Sequence, residues 1–145
     1  MWKVFRNTPK MSSEVISPKA VIIGSYKRDL KQLRALYEEL ALAGCQILSP
    51  RGYEFDGSEF ARLPGEDMMT GVNIEVYHLS AIMQSDIVWV HCPGGYLGPS
   101  GLFEFGFAVA HKKAVFSYES IDNEPTLSSF LTKTTSVFQA LKSLK

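Results

Sequence analysis

Short apolar segments alternate along this chain with longer segments in which apolar residues recur every three or four positions. Short, continuously apolar segments are typical of parallel strands, because both faces of such strands are buried. Four of them occupy residues 20–24, 46–50, 87–90 and 114–117, and a fifth short strand is expected near residues 134–136. Helices are predicted over residues 30–43, 73–83, 101–111 and 125–131, and from residue 137 onward.

The alternation of strands and helices predicts an α/β fold with a single doubly wound, mostly parallel sheet of about five strands. Helices would cover both faces of the sheet, as in the flavodoxin-like and Rossmann-like three-layer sandwich. Residues 1–19 are predicted to form an N-terminal tail or arm, and residues 20–145 the domain. Asn73 is expected to cap the helix after the long loop at residues 51–72. A loop of that length is usually functional or mobile.

Positive and negative charges balance along the chain, with 15 basic and 15 acidic residues. Neither nucleic acid nor a membrane surface is therefore an expected partner, because no field of one sign attracts them. No apolar segment approaches the roughly 20 residues of a membrane span, and residues 1–19 lack a secretory apolar core, which favours a cytoplasmic location. Cys45 and Cys92 have no CxxC spacing and are expected to be free, buried thiols.

Residues 86–108 combine a buried strand, a glycine-rich turn and a helix, which is how many ligand sites in α/β proteins are built. The turn contains Gly94, Gly95 and Gly98, and Gly101 follows. Such a backbone bends sharply and suits a phosphate or sugar cradle, although a chain reversal alone would also explain it. The turn matches neither the dinucleotide-binding nor the P-loop pattern, so neither class is indicated.

The pair His91 and Cys92 before this turn superficially resembles the phosphate-binding loop of cysteine phosphatases. That loop needs an arginine where this chain has Gly98, and a hydroxyl residue where it has Pro99. Without a fixed cation, neither a thiolate nor a transferring phosphoryl group is stabilised. The sequence therefore disfavours a cysteine phosphatase.

Glu104 is the sharpest candidate catalytic residue, because its neighbours Phe103, Phe105 and Phe107 are apolar. With Ser100 as the helix cap, Glu104 would lie in the first helical turn, where a carboxylate complements the helix dipole. A glutamate with only that role normally lies on an exposed face. The apolar surroundings favour a carboxylate directed into a pocket, where it could act as a nucleophile or a general base.

Glu75 and His78 lie three residues apart on the preceding predicted helix, so they share one helix face. A solvated surface patch and a substrate-binding role are both consistent with this spacing. Tyr26, just beyond the first strand, could equally serve as an aromatic lid or as a stacking platform for a planar base.

Several of these segments together resemble the nucleoside 2-deoxyribosyltransferase family, including its 2′-deoxynucleoside 5′-monophosphate N-hydrolase branch. The resemblance covers roughly residues 20–118. It rests on the strand at residues 86–90, the turn at residues 95–100, the helix at residues 104–108, and Lys112 with Lys113.

The resemblance implies an enzyme that cleaves the N-glycosidic bond of a nucleoside or nucleoside 5′-monophosphate, as an N-glycoside hydrolase or a deoxyribosyltransferase. Glu104 would be the nucleophile that attacks the sugar C1′, in agreement with the stabilisation of an oxocarbenium-like transition state by a carboxylate. The resemblance implies no cofactor and no metal, and it implies a homo-oligomer, a dimer or higher. The implied substrate-binding residues are Gly24, Ser25, Tyr26, Gly95, Tyr96, Gly98 and Ser100.

The chain departs from the family at His78, eight residues before Asp86, where the family commonly has an aspartate that contacts the base. His78 could donate to a base nitrogen or shuttle a proton near neutral pH, and Glu75 could supply the missing carboxylate. Alternatively, catalysis has been lost or the substrate differs. The alternative function is a non-catalytic nucleotide-binding or sensing module, in which Glu104 would bond the ribose hydroxyls.

Overall fold

The computed structural model describes residues 17–55, 63–66 and 69–144, and five strands of this part form one sheet. The strands are β1 (Lys19–Gly24), β2 (Gln46–Ser49), β3 (Ile87–His91), β4 (Ala114–Ser117) and β5 (Thr132–Lys133). The helices are α1 (Leu30–Leu42), α2 (Gly71–Gln84), α3 (Pro99–Ala110) and α4 (Val137–Ser143). Two short 3-10 helices, Pro93–Gly95 and Pro125–Phe130, follow β3 and β4.

All neighbouring strands are parallel, in the order β2-β1-β3-β4-β5. This arrangement confirms the predicted α/β fold class and the flavodoxin-like strand order. After β2 the chain crosses back over β1 and continues on its other side, so the direction of winding reverses between β1 and β3. In such sheets, ligands bind outside the carboxyl ends of the strands at this reversal point.

Apolar residues cover both faces of the sheet, because successive strand residues point to opposite sides. On one face, α2 and α3 contribute Ile82 and Phe105 to the core. On the other face, α1 and α4 contribute Leu36 and Val137. The central strand β3 is buried along its whole length, as expected for a continuously apolar strand covered by helices.

Helix α3 starts earlier than the sequence predicts, and this places Glu104 in a different helical turn. Gly98, rather than Ser100, is the N-cap, because Pro99 takes the first helical position. Proline suits that position, since its fixed φ is helical and an N–H is not needed there. Glu104 therefore lies in the second turn of α3, and the predicted first-turn position is wrong.

Other boundaries lie close to their predicted places. Thr70, rather than Asn73, caps α2, and the Thr70 side chain accepts a hydrogen bond from the Asn73 N–H. Strand β5 ends just before the predicted residues 134–136. Within the predicted N-terminal tail, residues 1–16 lie outside the described part, and Lys19 belongs to β1.

Both cysteines are free thiols, and Cys92 is buried whereas Cys45 is only half-buried. Burial raises the pKa of the Cys92 thiol to about 11. A cysteine phosphatase needs a thiol with a lowered pKa, so the chemistry of Cys92 agrees with the exclusion of that class. Among the described residues, no helix is long and apolar enough to cross a bilayer.

Candidate active site

Two glycines allow the start of α3 to pack against the end of β1. A Cβ atom on Gly101 would lie 3.1 Å from the Gly24 Cα atom. Gly24 itself has a φ of +126°, and a Cβ atom there would lie 2.2 Å from the His91 carbonyl oxygen. A side chain on Gly101 would separate helix and strand, and one on Gly24 would clash with the end of β3. This close approach carries Glu104 to the carboxyl end of β1, where the Gly24 backbone forms a hydrogen bond to its carboxylate.

A pocket of about 700 Å³ opens at the carboxyl ends of β1 and β2. Residues from both strand ends, the loop after β2, and helices α2 and α3 form its wall. Seven of the residues singled out by the sequence line it, namely Gly24, Ser25, Tyr26, Glu75, His78, Ser100 and Glu104. The structure therefore brings together the three candidate catalytic residues and four of the candidate binding residues.

Three other candidate binding residues lie beside the pocket and do not line it. The Gly98 N–H donates to Ser25 Oγ at 3.2 Å, so this amide is already used within the protein. Gly95 is buried against Asp122. The Tyr96 ring is covered by the Arg28 guanidinium, whose Cζ atom lies 4.0 Å from the ring centroid.

Glu104 is a buried carboxyl group, with 5% of its surface exposed, and no Lys or Arg of the described residues pairs with it. Burial raises its pKa well above the ordinary glutamate value, and the hydrogen bond that protonated Glu104 donates to Glu75, together with the Glu75 charge, raises it further. Two adjacent carboxyl groups in a low-dielectric site cannot both be ionised at low cost. We refer to Glu75 and Glu104 as the carboxyl pair.

His78 is buried next to the carboxyl pair. Its Nδ1 atom lies 2.5 Å from Ser49 Oγ, and its Nε2 atom lies 3.1 Å from the Tyr26 hydroxyl and 3.6 Å from Glu104 Oε1. Burial lowers the pKa of His78 to about 4, because a charged imidazole would lose its hydration. A neutral ring near pH 7 does not favour the proton shuttle that the sequence left open for His78.

Aromatic residues form one side of the pocket. The Tyr26 and Phe55 rings are parallel within 2°, with centroids 5.6 Å apart. Tyr26 also meets His78 edge-on, and its hydroxyl donates to the Ile22 carbonyl. These contacts hold the Tyr26 ring in place, so it provides a fixed apolar surface for a planar group.

The loop after β2 also contributes Glu66 to the pocket wall. Glu66 is buried, accepts the Leu63 N–H at 2.8 Å, and pairs with Arg51 Nη2 at 3.0 Å. The Arg51 guanidinium also faces the Tyr77 ring, with Cζ 5.5 Å from the centroid. Each Glu66 oxygen thus accepts a hydrogen bond. The ion pair between Glu66 and Arg51 is therefore a structural element of the loop.

Sequence reasoning missed several pocket residues, chiefly Ser49, Arg51, Phe55 and Glu66. Ser49 ends β2 just as the residues after Gly24 follow β1, so the strand-end rule that selected Tyr26 applied to it equally. The other three lie in the loop at residues 51–70, which has no regular period. In the described residues, no group of three or more His, Cys, Asp or Glu side chains is arranged to hold a metal ion.

No protein-family model and no curated protein sequence matches this chain. Among solved structures, it is similar to the CMP N-glycosidase BcmB of Clostridium botulinum, with a TM-score of 0.54 and 14% identity over 88% of this chain and 99% of that one. It is also similar to a conserved protein from Enterococcus faecalis V583, with a TM-score of 0.50 and 14% identity over 89% and 87% of the two chains. At this identity the likeness shows the fold: the chain has the α/β fold of the CMP N-glycosidase, as the resemblance to the nucleoside 2-deoxyribosyltransferase family implied.

Proposed function

We propose that this protein cleaves the N-glycosidic bond of a nucleoside or nucleoside 5′-monophosphate, with Glu104 as the nucleophile. The carboxyl pair carries this proposal. Glu104 lines a pocket large enough for a nucleotide, pairs with no Lys or Arg in the part of the chain that the structure describes, and is hydrogen-bonded to a second carboxyl group. Two adjacent carboxyl groups supply the nucleophile and the acid that a two-step displacement at an anomeric carbon needs.

In the first step, a Glu104 oxygen bonds to C1′ while the bond between C1′ and the base nitrogen breaks. The electron pair of that bond leaves with the base, and Glu75 donates the shared proton to the base. The raised pKa of Glu104 favours the proton on Glu104 in the resting pair. The step therefore begins when this proton moves across the hydrogen bond to Glu75, which leaves Glu104 as the anionic nucleophile. The developing positive charge on the sugar is stabilised by the adjacent Glu104 carboxylate.

In the second step, water attacks C1′ and the bond to Glu104 breaks. Glu75, now ionised, removes a proton from the water, and the carboxyl pair returns to its starting state with one shared proton. When a second base attacks in place of water, the same step gives transfer instead of hydrolysis. The pocket residues are the same for both outcomes, and no cofactor takes part.

The pocket walls suit the parts of a nucleotide. The parallel rings of Tyr26 and Phe55 offer a stacking surface for the base. Ser25 and Ser100 line the pocket near the start of α3, where the sugar or its 5′-phosphate would lie. One neighbour in fold is a CMP N-glycosidase, so CMP is the first substrate to test. The predicted homo-oligomer stays a prediction.

The test is to incubate the protein with a panel of nucleosides and monophosphates, including CMP, and to measure released base by chromatography. Release by the native protein and its loss in Glu104→Ala is the expected result. Undiminished release by Glu104→Ala would contradict the nucleophile assignment. Thermal stabilisation by a nucleotide without any base release would favour the non-catalytic binding module.

A further inference from the structure

We propose that Ser49 is a positioning residue, which acts through the His78 ring to hold Glu104 ready for attack as a carboxylate. This inference rests on the proposed function. Ser49 Oγ, the His78 ring and Glu104 form a continuous chain of polar contacts from the end of β2 to α3. All three side chains are at least nine-tenths buried, so their contacts are with one another and with the pocket.

The Tyr26 hydroxyl determines which His78 nitrogen carries the hydrogen. Its only hydrogen is donated to the Ile22 carbonyl, so its oxygen can only accept from the ring. The closer ring nitrogen is Nε2, at 3.1 Å, whereas Nδ1 is 3.4 Å away. A hydrogen on Nε2 satisfies this contact, and a lone pair there would oppose the Tyr26 oxygen.

Glu104 favours the same tautomer when it is ionised. Its Oε1 atom lies 3.6 Å from Nε2, which is longer than a normal hydrogen bond but close enough for a strong electrostatic contact. A lone pair on Nε2 would face both the carboxylate and the Tyr26 oxygen. The anionic nucleophile therefore requires the hydrogen on Nε2.

Ser49 completes the arrangement from the other side of the ring. With the hydrogen on Nε2, the neutral ring has a lone pair on Nδ1, and Ser49 Oγ donates to it across 2.5 Å. Without this donor, the buried Nδ1 lone pair would lose its hydrogen bond and the ring would lose the contact that fixes its orientation. Glu104 would then lose the positive end of the Nε2–H dipole, and its ionised form would be less favoured.

The titratable groups that face His78 are Tyr26 at the end of β1, Glu75 on the same helix, and Glu104 on α3. Burial and the two carboxyl charges raise the pKa of Tyr26, so its hydroxyl stays protonated over the range of the assay. The acid side of the pH profile of kcat therefore reports the ionisation of Glu104, whose pKa is raised by burial, and Ser49 should influence its midpoint.

The first experiment needs no substrate. Nitrogen-15 NMR of the native protein should show His78 with a protonated Nε2 and an unprotonated Nδ1 at pH 7. The chain has three histidines, so the His78 signals are assigned by their loss in His78→Asn. A protonated Nδ1 in the native protein would overturn the inference, whether or not the protein releases base.

The second experiment compares Ser49→Ala with Ser49→Thr, which keeps the hydroxyl, and with Ser80→Ala on the exposed surface of α2. In Ser49→Ala, kcat should fall about 10-fold with KM within about twofold, and the acid midpoint should rise by about one pH unit. Ser49→Thr should restore the midpoint, and Ser80→Ala should match the native protein.

These outcomes separate the two proposals. An unchanged midpoint and kcat in Ser49→Ala, with base release intact, would overturn the role of Ser49 and leave the proposed function standing. If no substrate on the panel is cleaved, the proposed function fails while the NMR tautomer is still measured. If Ser49→Ala fails to fold, the tautomer of the native protein and the pH profile of kcat in Ser49→Thr still test the inference. A displaced midpoint in folded Ser49→Thr would contradict it.

Discussion

Glu66 and Glu104 are equally buried glutamates in the wall of one pocket, with 6% and 5% of their surfaces exposed. Glu66 has a donor on each oxygen, because Arg51 and the Leu63 N–H bind it. Glu104 instead faces a second carboxyl group and a neutral imidazole. Arg51 therefore neutralises Glu66, whereas no Lys or Arg of residues 17–55, 63–66 and 69–144 pairs with Glu104.

This difference shows that burial by itself does not identify a catalytic carboxylate. A buried carboxylate with a cation and an amide donor is stable as an anion, and its place in the loop is explained by structure alone. A buried carboxyl group without a cation is costly to ionise, and its position in a cleft makes it a functional candidate. Substitutions at the two glutamates should therefore have opposite signatures.

The largest expected difference between the two glutamates is in catalysis. Glu104→Gln keeps the shape but removes the nucleophile, so kcat/KM should fall by about 10³-fold or more. Glu66→Gln should reduce it by no more than about threefold, because Glu66 only orders the loop. Steady-state rates of base release on the best panel substrate measure both. Similar losses in the two variants would remove the functional distinction between them.

A smaller loss is expected for Glu75, the partner of Glu104. Glu75→Gln removes the acid that protonates the leaving base, which should lower kcat about 10²-fold. The loss should shrink on a nucleoside analogue whose leaving group departs without protonation, such as a nitrophenyl glycoside of the same sugar. Equal losses on both substrates would show that Glu75 is not the acid.

The pH dependence of stability gives the third contrast. The pKa of Glu104 is raised in the folded protein, so the protonated form stabilises the fold at low pH and this contribution is lost as the pH rises through the folded pKa. Because glutamine has no ionisable carboxyl group, Glu104→Gln does not lose stability in this way as the pH rises. Its melting temperature should exceed that of the native protein by about 3 °C or more at pH 9 and match it near pH 4.

Glu66→Gln provides the matched control for this experiment. It should not gain stability at pH 9, since Glu66 is already paired with Arg51. Thermal denaturation of the three proteins at both pH values gives the comparison. A pH-independent difference between Glu104→Gln and the native protein would contradict the buried, cation-free environment of Glu104.

The smallest effect concerns the loop itself. Glu66→Gln leaves an amide acceptor for the Leu63 N–H but removes the charge opposite Arg51, whose side chain is 56% exposed. Because that exposure screens the pair, the cost should be about 0.5–1 kcal/mol, and added salt should reduce it. Urea denaturation at low and high salt measures this cost. A cost that does not change with salt would show that hydrogen bonding, and not charge, holds the loop.

The sequence predicted the fold from local patterns. The apolar segment of β3 and the helical period of α1 depend on neighbouring residues, so they can be recognised without tertiary information. The start of α3 was misplaced because Ser100 is a good cap by type, whereas Pro99 takes the first helical position and the helix starts two residues earlier.

The candidate site was predictable only in part. Glu104 and Tyr26 follow from apolar context and from the strand-end rule. The contact between Ser49 and His78 joins residues 29 positions apart, and Glu75 meets Glu104 only when α2 packs beside α3. The pairing of Glu66 with Arg51 depends on the path of a loop with no regular period. Such long-range contacts leave no local signal in a single sequence.

Intact mass spectrometry for a glycosyl-enzyme intermediate tests the central role of Glu104 most directly. Glu75→Gln, incubated with the nitrophenyl glycoside and quenched in acid, should accumulate the intermediate, because it can lose the activated leaving group but lacks the base that activates water. The account predicts a mass gain of one sugar residue, located on the peptide that contains Glu104 and absent from the double variant Glu75→Gln, Glu104→Gln. Leaving-group release without an adduct, and at the same rate in the double variant, would contradict it.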